Sequence, residues 1–153
     1  MVVLLRKTLI LLNISGIIAV YGGEGMAKYK NDHITSCTIT WSDWQSRVVT
    51  RVLQTEIQVR YYDYFKNELL SGRIWPMTAQ QKQELYDKLD DCLYGWECDD
   101  FSAENDSICW QFKICTQHKC LRTVRGTIEP PPHGDEIKKQ LIKIIGEKDC
   151  HFF

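Results

Sequence analysis

The 153 residues hold no G-x-S-x-G elbow, no H-E-x-x-H helix, no phosphate-binding P-loop and no G-x-G-x-x-G dinucleotide turn. No two cysteines are adjacent, so the Cys-Cys pair expected before the His-Asp of a secreted phospholipase is also missing. Charge of one sign is scarce: 19 Lys and Arg stand against 20 Asp and Glu, a formal net of −1 that lacks the basic excess of a nucleic-acid binder. Four prolines and nine glycines are too few for a collagen-like or low-complexity chain, and no internal repeat occurs. Beyond Tyr21 no apolar run reaches membrane length. What is present is ordinary globular composition, 44% hydrophobic and 25% charged, sized for one domain.

The first residues read as an export signal. Arg6-Lys7 close a short basic head, and Thr8 to Tyr21 is an uncharged, mainly apolar run. As a helix this run spans about 21 Å, short of the ~30 Å hydrocarbon core. Gly22, Gly23, Gly25 and Ala27 supply the small residues of a cleavage site, so a signal peptide over 1–22 and one domain over 23–153 are expected. The competing expectation is an uncleaved signal anchor that borrows Val2 to Leu5. Cleavage removes two basic residues and no acid, taking the formal charge to −3. The product is expected to be secreted, with no membrane span after cleavage.

Export gives the seven cysteines their meaning. Cys37, Cys92, Cys98, Cys109, Cys115, Cys120 and Cys150 all lie beyond the cleavage site, and thiols this dense pair in an oxidising compartment. Three bridges among seven cysteines allow many connectivities, and spacing does not choose between them. A Cys37–Cys150 bridge would tie the ends together, and the five cysteines between 92 and 120 imply a stapled subregion. The odd thiol allows a disulfide-linked homodimer. Cys109, Cys115, His118 and Cys120 could alternatively hold zinc, although a C-x5-C first pair is wider than structural zinc sites use.

Periodicity divides the rest. Ile34 to Trp41 is rich in β-branched residues and reads as a strand. Ser42-Asp43-Trp44-Gln45 fits a capping box, and Val49, Leu53, Ile57, Tyr61, Phe65 and Leu69 recur every four residues up to Gly72. This spacing predicts a long amphipathic helix with Arg47, Arg51, Arg60 and Lys66 on its solvated face, although Ile57, Val59 and Tyr61 also alternate as a strand would. A second capping box, Thr78-Ala79-Gln80-Gln81, opens a helix carrying Leu85, Leu89, Cys92 and Leu93 and ending at Gly95. Ile108 to Cys115 alternates cleanly and predicts a strand, with Lys119 to Ile128 as its hairpin partner. After Pro130-Pro131-Pro132, Asp135 is expected to cap a last helix that buries Ile137, Leu141, Ile144 and Ile145 and stops at Gly146. The fold expected is thus α+β: a small disulfide-rich single domain with a long amphipathic helix, a second helix, a Cys-rich β-hairpin and a C-terminal helix.

Candidate chemistry is sparse. Residues 84–106 carry nine acids against Lys88, whereas Lys113 to Lys148 carries eight bases against four acids. Opposite patches of this kind can steer a partner or a second copy. Glu97 with Asp99 or Asp100 is the nearest approach to a catalytic dyad, and Asp99, Asp100, Glu104 and Asp106 could hold calcium, but without the D-x-D-x-D-G order. Asn105-Asp106-Ser107 is a glycosylation acceptor. No catalytic residue, metal or cofactor is assigned. The sequence points to a non-enzymatic secreted binding protein of signalling-ligand, venom-component or effector type, acting on an extracellular protein or receptor. The alternative is a small secreted hydrolase or hydrolase inhibitor.

Overall fold

The computed structural model describes residues 34–102, 108–117 and 119–146, with the backbone alone for Cys92, Leu93 and Tyr94. The chain divides into Met1–Asp32 and His33–Phe153, and every described residue belongs to the second unit. The expected signal peptide, Asn105, His118 and Cys150 lie outside the described residues.

Seven strands form one mixed sheet: β1 (Ser36–Ser42), β2 (Ser46–Val52), β3 (Glu56–Asp63), β4 (Leu69–Pro76), β5 (Asp100–Phe101), β6 (Cys109–Cys115) and β7 (Cys120–Thr127). Helix α1 (Ala79–Gly95) follows β4, and α2 (Gly134–Ile145) follows β7. The strand order is β4-β3-β2-β1-β6-β7-β5, antiparallel throughout except for the short parallel β5–β7 pair. The first four strands are a meander. The chain then crosses by way of α1 and returns to pair β6 with the open side of β1.

The expected disulfide-rich, helix-led fold is therefore wrong. The segment read as a long helix is β2, β3 and the start of β4. A repeat of four is a multiple of two, so Ile57 and Tyr61 share a face in a strand as well as in a helix. The supposed capping box makes a hairpin turn instead: Asp43 Oδ1 accepts the N–H groups of Gln45 at 2.8 Å and Ser46 at 2.6 Å, fixing the β1–β2 reversal. A second aspartate does the same at the β3–β4 turn, where Asp63 Oδ1 accepts Lys66 N–H at 2.8 Å and Asn67 takes φ 55°. β-Branched residues and aromatics then favour strands between those turns.

Thr78 and Gln81 do form a reciprocal cap on α1. Thr78 Oγ1 accepts Gln81 N–H at 3.2 Å, and Gln81 Oε1 accepts Thr78 N–H at 2.9 Å. Asp135 is not the cap of α2; that position is His133, in the left-handed region at φ 61°, while Asp135 and Glu136 sit in the first turn. Gly146, at φ 88°, closes the helix.

The core lies on one side of the sheet. Register places Val52, Cys37 and Ile114 in one transverse row and Thr50, Ile39 and Phe112 in the next, and all six are buried. Leu85 and Leu89 of α1 and Ile137 and Leu141 of α2 are fully buried, and each such side chain contributes roughly 1.5–3 kcal/mol by leaving water. Trp96 packs edge-on to Phe112 at 5.3 Å, which fixes the end of α1 over this side. Two indoles hold the proline connector: Trp96 Nε1 donates to Pro132 O and Trp110 Nε1 to Glu129 O, each at 2.7 Å. Helix α2 is thereby aimed at the core by two half-buried hydrogen bonds.

Candidate functional site

No disulfide forms among the described cysteines, Cys37, Cys98, Cys109, Cys115 and Cys120. Cys37 is part of the hydrophobic core, where it and burial together push the Tyr86 hydroxyl up, burial being the larger cause. Cys109 and Cys115 stand at opposite ends of β6, six residues and about 20 Å apart along the strand, so they cannot share one tetrahedral ion. Cys115 does face Cys120 across the hairpin. Burial raises the Cys115 thiol above its ordinary value, and a hydrogen bond with Cys120 adds to this.

The acidic segment is clamped to β7 rather than standing as a separate patch. Arg122, whose side chain is only 12% exposed, pairs with Asp99 and donates to Trp96 O at 2.9 Å and Cys98 O at 3.1 Å. Arg125 forks onto Asp100 Oδ2 through Nη2 at 2.6 Å and Nε at 2.9 Å. Hydrogen bonds from Ser102 and Arg125 hold the Asp100 carboxyl down at about 2. Lys88 of α1 reaches Glu136 of α2 at 2.7 Å and lowers that carboxyl in turn. Charges that sequence alone sets up as opposite steering patches are thus partly spent within the molecule. Asp99 takes Arg122 as its ion-pair partner, and Asp100, lowered by Ser102 and Arg125, is not poised as the protonated partner of an acid–base pair.

The other side of the sheet carries the surface that sequence reasoning missed. Neither helix covers it. Register sets Gln58, Arg51, Thr38, Lys113 and Thr123 in one row across the strands, and Arg60, Val49, Thr40, Gln111 and Arg125 in the next. Arg47 stands one row further out, with its guanidinium 4.9 Å from the Tyr62 ring centre and bonded to the Asn67 side chain. Five basic side chains on the strands of this face meet two acids, Glu56 and Asp100, and Arg125 already engages Asp100. Arg51 and Lys113 are exposed. Beside them a depression of about 340 Å³ opens among Thr40, Ser42, Ser102, Cys109, Gln111 and Arg125. The signal was available in the sequence: Arg47, Val49 and Arg51 alternate with the buried Val48, Thr50 and Val52.

Among the described residues no helix is long and apolar enough to cross a membrane. No protein-family model matches the chain, and no curated protein matches it. Among the described residues, the fold and this surface define a layered domain, a sheet backed by two helices on one side and polar and basic on the other.

Proposed function

We propose that the protein is an exported binding module whose uncovered sheet face docks an acidic segment of an extracellular protein partner. The observation that carries this reading is the basic side chains that register brings onto the one face of the sheet that neither described helix covers. Polar strands held by a fixed ladder present those groups with little further loss of conformational freedom, so less of the interaction is lost to ordering. Electrostatic complementarity of this kind speeds encounter and selects against basic partners. The rival reading, a secreted hydrolase or its inhibitor, finds less support, because Asp99 and Asp100 take Arg122 and Arg125 as partners.

Poly-glutamate immobilised on a sensor surface tests the proposal. The purified protein should bind it, with affinity falling as salt rises, since exposed charges are screened beyond about 8–10 Å at physiological ionic strength. The double substitution Arg51→Glu with Lys113→Glu should weaken binding by at least ~10-fold, a loss of about 1.4 kcal/mol. Lys139→Glu, on an exposed position of α2, should leave it unchanged. Equal affinity for the double variant and the unaltered protein would overturn the proposal.

A further inference from the structure

The geometry points to a homodimer in which β4 of one copy pairs antiparallel with β4 of another, about a two-fold axis through Gly72. Strand β4 is the last in the order, and no described strand lies along its outer side. Its apolar side chains face solvent: Leu69 is 57% exposed, Leu70 64% and Ile74 61%, and Phe65 in the preceding turn is 79% exposed. Edges this apolar are normally blunted or covered, because unpaired strand backbone recruits another strand.

Backbone direction limits the register. Met77 N–H donates to Thr55 O at 2.8 Å in a pair directly opposite across the β3–β4 ladder. By alternation, Trp75, Arg73 and Ser71 turn their backbone groups toward β3, leaving those of Gly72 and Ile74 pointing outward. A two-fold axis at Gly72 puts the outward groups of the two copies in hydrogen-bonding pairs. Gly72 then meets its own copy, Arg73 meets Ser71, and Ile74 meets Leu70, the extra residue at which β4 bulges against β3. Moving the axis to Arg73 would set arginine against arginine and bring in Pro76, which has no N–H to give. Moving it to Ser71 would set Ile74 against Glu68. Of these three registers, that at Gly72 sets Ile74 against Leu70 and Arg73 against Ser71 with no like charges opposite, and this self-complementarity points to a second copy as the occupant. The dimer would join two open sheet faces side by side, but it does not depend on what those faces bind.

Light scattering after size exclusion tests this on the purified protein. The unaltered protein should run at twice the chain mass. Ile74→Lys and Leu70→Lys should each give a monomer, because both positions are solvent-exposed in the single copy and each change sets an ammonium against an apolar neighbour. The combination Ile74→Glu with Leu70→Lys should restore the dimer, since each new carboxylate then faces a new ammonium across the axis. Far-ultraviolet circular dichroism of every variant should match the unaltered protein. A monomeric unaltered protein, including one whose edge is covered by its own first 33 residues, would overturn the inference. So would dimers that persist in both single variants, or a well-folded double variant that stays monomeric.

Discussion

Gly126 lies directly against the indole of Trp110: a Cβ built on Gly126 would stand 2.2 Å from Trp110 Cζ2 and 2.6 Å from Cε2. The two residues oppose each other in the β6–β7 ladder, so the glycine is the gap that a large ring fills. Trp110 cannot swing aside cheaply, because Phe101 and Phe112 pack on its ring and its N–H is bound to Glu129 O. Gly126→Ala should therefore destabilise the fold by about 1–3 kcal/mol, the range for overpacking a filled core. Gly95→Ala makes the control: an added Cβ there meets nothing within 4 Å, and the loss of unfolded-state freedom should stabilise by about 0.4–1 kcal/mol. Urea midpoints of the two variants should move in opposite directions.

Thr50 points to a different kind of site, a misplaced hydroxyl. It is fully buried in the row between Val59 and Ile39, and its Oγ1 has no hydrogen-bond partner among the described residues. Burying an unpaired hydroxyl costs roughly 1–3 kcal/mol. Thr50→Val keeps the branched shape and exchanges the hydroxyl for a methyl group. It should raise stability by about 1 kcal/mol, read as a higher urea midpoint with an unchanged slope. A lower midpoint would show that the hydroxyl has a partner in solution.

These two sites also show what the sequence carried and what it hid. The β6–β7 hairpin was legible because Trp110, Phe112 and Ile114 alternate with polar residues in a span too short for a helix. Helix α1 was legible from the Thr78–Gln81 cap. The 42–70 segment was not, because its spacing of four fits both periods and Asp43 serves a turn as readily as a cap. A helical period for that segment makes Arg47, Arg51 and Arg60 the solvated side of a cylinder instead of one side of a sheet. The basic face needs the pairing of β1 with both β2 and β6, partners separated by some sixty residues, and no local pattern encodes it. The cysteines misled for a related reason: their crowding in sequence does not become crowding in space when Cys109 and Cys115 occupy the two ends of a strand.

Ile128 follows β7 with φ 47°, a left-handed backbone that a β-branched residue rarely adopts. Its N–H still reaches Ile108 O at 3.2 Å, so the hairpin end holds the strained conformation in place. The side chain is 57% exposed and loses little burial if shortened. Asparagine tolerates this backbone, and the penalty for an ordinary residue is about 1–2 kcal/mol. Ile128→Asn should therefore stabilise by about 1 kcal/mol, whereas Ile128→Val, which keeps the branch, should not. Thermal melts of the two variants side by side check this.

The Asp100–Arg125 pair should leave a signature in the acid range. Hydrogen bonds from Ser102 and Arg125 lower the Asp100 carboxyl to about 2, against 3.8 for an unperturbed aspartate. A group whose folded value is depressed adds stability that is fully present above the unfolded value and disappears as pH falls through the folded one. The contribution of Asp100 should thus be constant above about pH 5, decline below 4 and vanish near 2. Asp100→Asn removes the ionisation while keeping the shape. The gap in melting temperature between it and the unaltered protein should be level from pH 5 to 7 and close on acidification, with its size reduced by added salt because Arg125 and Asp100 both stand in contact with solvent. A gap that stays open at pH 2 would mean that shape, not charge, ties the 96–101 segment to β7.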